Sequence, residues 1–155
     1  MRQVGFDSTT EVPASEGWLD LDKIAQVAVT SEDPHCPIES VFTPGGSSGW
    51  RAGGGGEQTI RLAFEMPRRI HRIWLRFVET RAERTQEFSL QWRSDRHSPA
   101  REIVRQQWNF SPQGATTEIE DYSVDLGRVG ILELRINPDV SNRDAVATLA
   151  EWRVG

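Results

Sequence analysis

Apolar residues alternate with polar ones three times in succession between residues 59 and 95, and this pattern constrains the fold more than any other feature of the chain. Thr59-Ile-Arg-Leu-Ala-Phe-Glu65 places Ile60, Leu62 and Phe64 on one face. Arg72-Ile-Trp-Leu-Arg-Phe-Val78 places Ile73, Leu75 and Phe77 on one face and Arg72, Trp74 and Arg76 on the other. Glu87-Phe-Ser-Leu-Gln-Trp-Arg93 turns Phe88, Leu90 and Trp92 inward. A helix cannot satisfy a two-residue period; a strand with one buried face does. Polar turns separate the three segments, which fits antiparallel strands of a sandwich.

The rest of the chain extends this reading. Ile24-Ala-Gln-Val-Ala-Val-Thr30 is the first long strand. Residues 31–56 form a long irregular loop with Pro34, Pro37 and Pro44, and Pro37–Phe42 fits a single helical turn inside it. Gly53-Gly-Gly-Gly56 lacks the strand and lysine of a phosphate loop and reads as a flexible lead into the next strand. Met66-Pro-Arg-Arg69 is expected to be a tight connection, and residues 127–130 a turn. Further strands fall at residues 103–110, 118–126, 131–136 and 145–154. Trp92 and Trp152 are expected in the core, and Trp108 and Phe110 beneath a loop. The count is about eight antiparallel strands, an all-β jelly-roll sandwich.

At 155 residues the chain fits one domain, with residues 1–23 peripheral to a core of 24–155. Its one cysteine, Cys36, cannot form an internal disulfide, and the N-terminus lacks the apolar run of a signal peptide. Both features suggest a cytoplasmic protein. No stretch reaches the length of a membrane span, so no membrane partner is expected.

The formal charge of −5 is unevenly spread. Residues 68–105 hold 10 arginines against 5 acids, whereas the flanking parts are acidic. One lysine stands beside 17 arginines, and arginine favours bidentate contacts and stacking. A nucleic-acid partner ranks below a sugar or a protein, because the overall charge is negative and no basic track runs across the chain. There is no nucleophile elbow, no zinc-protease motif and no spaced carboxylate pair, so the reading is a non-enzymatic binding module without cofactor.

The order of segments resembles the discoidin, or coagulation-factor type C, domain of the galactose-binding-like superfamily. The long loop ends in Trp50-Arg-Ala52. Strands 58–65 and 70–78 are joined through Met66-Pro67. Phe88-Ser-Leu-Gln-Trp-Arg-Ser94, Val124-Asp-Leu-Gly127, Leu132–Ile136 and Glu151-Trp-Arg-Val154 follow in the family's order. Ser31-Glu-Asp-Pro-His-Cys36, with Gly49-Trp-Arg-Ala52 and Gly56-Glu-Gln-Thr-Ile60, also resembles the N-terminal domain of the eukaryotic X-ray-repair scaffold protein. The first resemblance implies a galactose-binding-like jelly roll that takes carbohydrate through the loops at one end. The second implies a protein-interaction domain, accessory to nucleic-acid repair.

Some fucose-binding relatives use one histidine and two arginines from corresponding loops. The resemblance therefore points to His35, Arg81 and Arg84, with Trp50 stacking on or walling the pocket. The plainer reading of the same arginines is a solvated turn. A second candidate surface is Arg72, Trp74 and Arg76 with Arg93 on a neighbouring strand, a flat contact for a protein, a glycan or a base. Many lectin relatives carry an Asp-Gly pair that supports a calcium ion, where this chain has Phe42-Thr-Pro-Gly-Gly46. Glu32, Asp33, Glu39 and Glu151 have no ion-loop spacing, so no metal is expected.

Overall fold

The computed structural model describes residues 17–43, 49–141 and 143–155. Most of the peripheral N-terminal segment, and most of the stretch that would carry the calcium-loop Asp, lie outside the described residues. Among the described residues there are eight strands: β1 Ala25–Val29, β2 Trp50–Arg51, β3 Gln58–Val78, β4 Arg84–Arg93, β5 Arg101–Phe110, β6 Thr117–Asn137, β7 Thr148–Leu149 and β8 Glu151–Val154. One helical turn, α1 Leu21–Ile24, precedes β1, and a 3-10 turn covers Ile38–Phe42. That turn matches the expected one at Pro37–Phe42, and it buries Ile38, Val41 and Phe42. All strand pairings are antiparallel.

Two long strands build both layers of the sandwich. The first half of β3 pairs with β1 on one side and with the second half of β6 on the other; β4 and β5 continue that layer in the order β1-β3-β6-β4-β5. The second half of β3 pairs with the first half of β6 and, on its other edge, with β8. The crossing point is marked by register shifts between Ala63 and Arg72. Residues 66–69 and 127–130, expected as turns, are therefore corners inside β3 and β6. Both stay paired across the corner, at Arg68↔Val129 and Ile70↔Leu126. Bulges bend and twist strands in this way without ending them. Gly130 serves the corner by its lack of a side chain, because a Cβ there would collide with the Ser94 carbonyl oxygen.

The period-two faces meet between the layers. Ile60, Leu62 and Phe64 of β3, Phe88 and Leu90 of β4, and Leu132, Leu134 and Ile136 of β6 face Ile73, Leu75 and Phe77 of the other half of β3 and Trp152 and Val154 of β8; all of them are buried. Phe77 and Phe88 touch across the gap with ring centroids 5.1 Å apart. Phe42 from the 3-10 turn packs on Trp152 at 6.0 Å. Trp152 and Phe110 are core residues as expected. Trp92 and Trp108 are half-buried at the margin, and the Arg101 guanidinium lies 5.6 Å over the Trp92 ring.

Truncation should follow this burial. Trp152→Ala leaves a cavity in the interior and should cost about 3–5 kcal/mol of unfolding free energy in urea titrations. Trp92→Ala should cost less than half of that. Equal losses would refute the placement of Trp92 at the margin.

Candidate functional site

At one end of the sandwich the loops 31–36, 49–53, 79–83 and 145–150 come together. The first is pinned by the second. The Asp33 N–H donates to the Arg51 carbonyl at 2.8 Å, the Arg51 N–H to the Cys36 carbonyl at 3.3 Å, and Trp50 Nε1 to the Ser31 carbonyl at 3.1 Å. β2 then ladders with β7 through Trp50↔Leu149 and Arg51↔Thr148. Gly49 has φ +63°, and a Cβ there would lie 2.9 Å from the Leu149 carbonyl oxygen, so the chain enters β2 through a position that suits glycine.

The 79–83 loop is built on a buried ion pair. Glu79 Oε1 accepts from Arg84 Nε at 2.8 Å, and Oε2 accepts from the backbone N–H groups of Arg81 at 2.9 Å and Ala82 at 3.3 Å. Arg84 also donates to Gln86 Oε1 and the Pro138 carbonyl, each at 3.0 Å, and to Thr148 Oγ1 at 3.1 Å. Its guanidinium lies 4.8 Å over the Phe110 ring. Burial works against the Glu79 charge, yet the hydrogen bonds from Arg84 and from the Arg81 N–H outweigh it and hold the carboxyl below its usual range. Burial holds Arg84 below its ordinary value, with Glu79 opposing the shift.

A cavity of about 310 Å³ opens between these loops. Trp50, Val78, Leu149 and Ala150 supply apolar wall; Arg51, Arg76, Glu79, Thr80, Arg81 and Thr148 supply polar groups. Arg76 is held at the rim by Glu151 Oε1, at 3.0 Å from Nε and 2.5 Å from the terminal nitrogen, while Glu151 Oε2 accepts from Arg153 at 3.0 Å.

The residues singled out from the sequence fare differently. Arg81 is exposed and lines the cavity. Trp50 also lines it but is 1% exposed, a wall rather than a free stacking platform. His35 is exposed on the loop whose Cys36 lines the cavity, and its backbone N–H is bonded to Asp33 Oδ1 at 2.8 Å; its side chain is outside the lining. Arg84 is a correction: at 0% exposure it carries the loop from beneath and cannot meet a ligand. The signal was in the sequence, since Arg84 and Gln86 share parity with Phe88 and Leu90 on the inward face of β4. Arg51 was missed. It follows Trp50 in a two-residue strand, where an inward Trp50 directs the next residue to the opposite side.

The flat surface is a second correction. Trp74 is 3% exposed. Its neighbours on that face are tied into pairs: Arg72 with Asp121 at 2.6 and 2.9 Å, and Arg76 and Arg153 through Glu151. Arg72 also lies 4.9 Å over Trp18. Arg93 donates to the Ser98 carbonyl at 3.3 Å, on β4 of the other layer. These four residues do not form one platform. Among the described residues no group of three or more His, Cys, Asp or Glu side chains is placed to hold a metal ion.

Behind Arg84 the interior stays polar. Gln86 Nε2 donates to Oε1 of the fully buried Glu118 at 3.2 Å, and Glu118 Oε2 has no hydrogen-bond partner. Burial, reinforced by the neighbouring Glu120 carboxyl, pushes Glu118 up to about 9 against the Gln86 hydrogen bond. Glu118 is therefore neutral in the folded protein at pH 7.

No protein-family model and no curated protein matches this chain. Solved structures do match its fold. The family 32 carbohydrate-binding module of Clostridium perfringens NanJ, in complex with galactose, is 12% identical, with TM-score 0.65 over 88% of this chain and 96% of that one. CpGH89CBM32-5 of Clostridium perfringens, in complex with GalNAc-β-1,3-galactose, is 16% identical, with TM-score 0.67 over 88% and 98%. The family 32 module of AlyQ, in complex with 4,5-unsaturated mannuronic acid, is 20% identical, with TM-score 0.58 over 85% and 95%. The expected galactose-binding-like jelly roll is the fold of this protein.

Two measurements check the site's scaffold. Arg84→Met leaves Glu79 buried without its cation and should cost about 3–5 kcal/mol in urea unfolding, part of which Glu79→Gln in the same chain restores. The Glu79 contribution is in place above its ordinary value of 4.5 and disappears as pH falls through its depressed folded value. Glu118 has the opposite sign. Its raised folded value leaves stability intact below 4.5 and removes it as pH rises towards about 9. Glu118→Gln should therefore gain on the natural chain across that window, by up to about 1.4 kcal/mol per pH unit. A pH-independent difference in thermal unfolding would refute a neutral Glu118.

Proposed function

We propose that this protein is a non-catalytic carbohydrate-binding module whose sugar enters the cavity between the 31–36, 49–53, 79–83 and 145–150 loops. The observation that carries the reading is the cavity itself. It is concave, of the size that ligand sites begin at, and it combines an aromatic and aliphatic wall with guanidinium and hydroxyl groups. A sugar ring needs that combination, because its C–H face packs on apolar surface while its hydroxyls require donors. The fold neighbours in complex with galactose, with GalNAc-β-1,3-galactose and with 4,5-unsaturated mannuronic acid support it.

The same geometry argues against hydrolysis at this site. Glu79 has both carboxylate oxygens engaged, one by Arg84 and the other by two backbone N–H groups. Glu151, behind Arg76, is bridged by two arginines. Neither is placed as a free acid or base for a glycosidic oxygen. The protein-interaction alternative relied on Trp74 being open, and Trp74 is buried.

A saccharide panel followed by calorimetry tests the proposal. At least one sugar should bind more tightly than ~10 mM, which corresponds to about −2.7 kcal/mol. Ala150→Phe, which fills the cavity from its lining, should abolish that binding while the protein still unfolds cooperatively. Undiminished binding in that variant would move the ligand elsewhere, and a panel with no ligand would end the carbohydrate reading.

A further inference from the structure

We infer that the sugar is anionic, carrying an acidic oxygen group that Arg51 and Arg81 hold. This rests on the carbohydrate-binding reading above and specifies its ligand.

The inference follows from an accounting of charge at the cavity. The chain as a whole is acidic, yet three arginines line this cavity against one glutamate. That glutamate, Glu79, is neutralised by Arg84 from beneath and is itself buried. Arg76 is paired with Glu151, whose other oxygen is taken by Arg153. Arg51 and Arg81 remain. Among the described residues neither forms an ion pair or a side-chain hydrogen bond, whereas Arg61, Arg69, Arg72, Arg105 and Arg143 elsewhere on the surface all have carboxylate partners. Nine of the sixteen described arginines have a carboxylate partner; of the seven that have none, Arg51 and Arg81 are the two that line the same concavity.

Their positions are fixed by the fold. Arg51 stands in the β2–β7 ladder opposite Thr148, and its own N–H and C=O are both bonded to the 31–36 loop. The Arg81 backbone N–H is bonded to Glu79. The two residues therefore reach the cavity from two different loops, each tied down by its backbone. The charge of Arg51 is also felt inside the protein. Beyond burial and the opposing effect of Glu79, the positive charge of Arg51 adds to the lowering of Arg84. A bound anion relieves that repulsion, whereas a neutral sugar displaces water from two guanidiniums and returns only hydroxyl acceptors. A guanidinium presents a planar fork that matches two oxygens of one acidic group.

Two kinds of sugar supply that chemistry, the carboxylate of a uronic acid and a sulfate ester, and the experiment separates them. Calorimetry on the full chain at low ionic strength compares methyl glucuronide and methyl galacturonide with methyl glucoside and methyl galactoside, and galactose 6-sulfate with galactose. The acidic member of at least one pair should bind roughly tenfold tighter than its neutral parent, and the ratio should shrink as salt is added. Whichever pair shows the difference identifies the acidic group. Arg51→Gln and Arg81→Gln should each bring the acidic sugar to within about threefold of its parent. Arg69→Gln, the same charge change at a distant pair, should leave the ratio alone. Neutral sugars binding as tightly as acidic ones would overturn the inference and leave the carbohydrate reading standing. Acetate or sulfate ions matching the acidic sugars would overturn it by removing the ring from recognition. Failure of every saccharide, acidic or neutral, would overturn both.

Discussion

The Arg84 guanidinium is the interaction on which this end of the molecule depends. It starts β4, neutralises the first acidic group after β3, bonds the carbonyl that follows β6 and reaches the hydroxyl of β7. The ends of β3, β4 and β6 and the short β7 meet on one planar cation. An ion pair this deeply buried adds little net stability, because desolvation cancels most of the attraction. Its value is geometric. It sets where the 79–83 loop leaves the sheet, and Glu79 then uses its second oxygen to shape the loop through two backbone N–H groups. Arg81 is placed at the cavity as a consequence.

The second constraint is the pair of corners in β3 and β6. A sandwich made from separate strands must connect its layers through loops, whereas here two 21-residue strands pass from one layer to the other while remaining paired. The layers are thereby coupled through the backbone as well as through their side chains. This suits a module whose scaffold is rigid and whose variation lies in its loops.

The sequence exposed the fold through parity. Every residue expected inward on the strongest strands is buried, apart from Trp92 at the sheet margin, because the period of two is a local property of the strand. Parity could not distinguish a turn from a corner. Met66-Pro67 and Gly127 look the same in either, and what decides is whether the partner strand bends too. Nor could parity show that the outer face of β3 is covered: Trp74 reads as exposed until Arg72, Arg76 and Arg153 are seen in their ion pairs around it. The site was half legible. Arg81 and Trp50 line the cavity, Arg84 does not, and Arg51 had no signal beyond its place after Trp50. Recognising which arginines lack partners requires the carboxylates of the whole chain in their folded positions.

At 10–20% identity, the fold neighbours show a shared backbone path. Such a fold can host unrelated ligands on the same loop end. An acidic surface repels acidic polysaccharide at long range, so a positive cavity within it cannot act by general attraction. The acidic group proposed as its ligand would be recognised at short range, where two guanidinium forks act against the screened field of the rest. Selectivity of that kind comes from where two guanidiniums are fixed, and both are fixed by backbone hydrogen bonds that a neutral substitution at either side chain would leave in place.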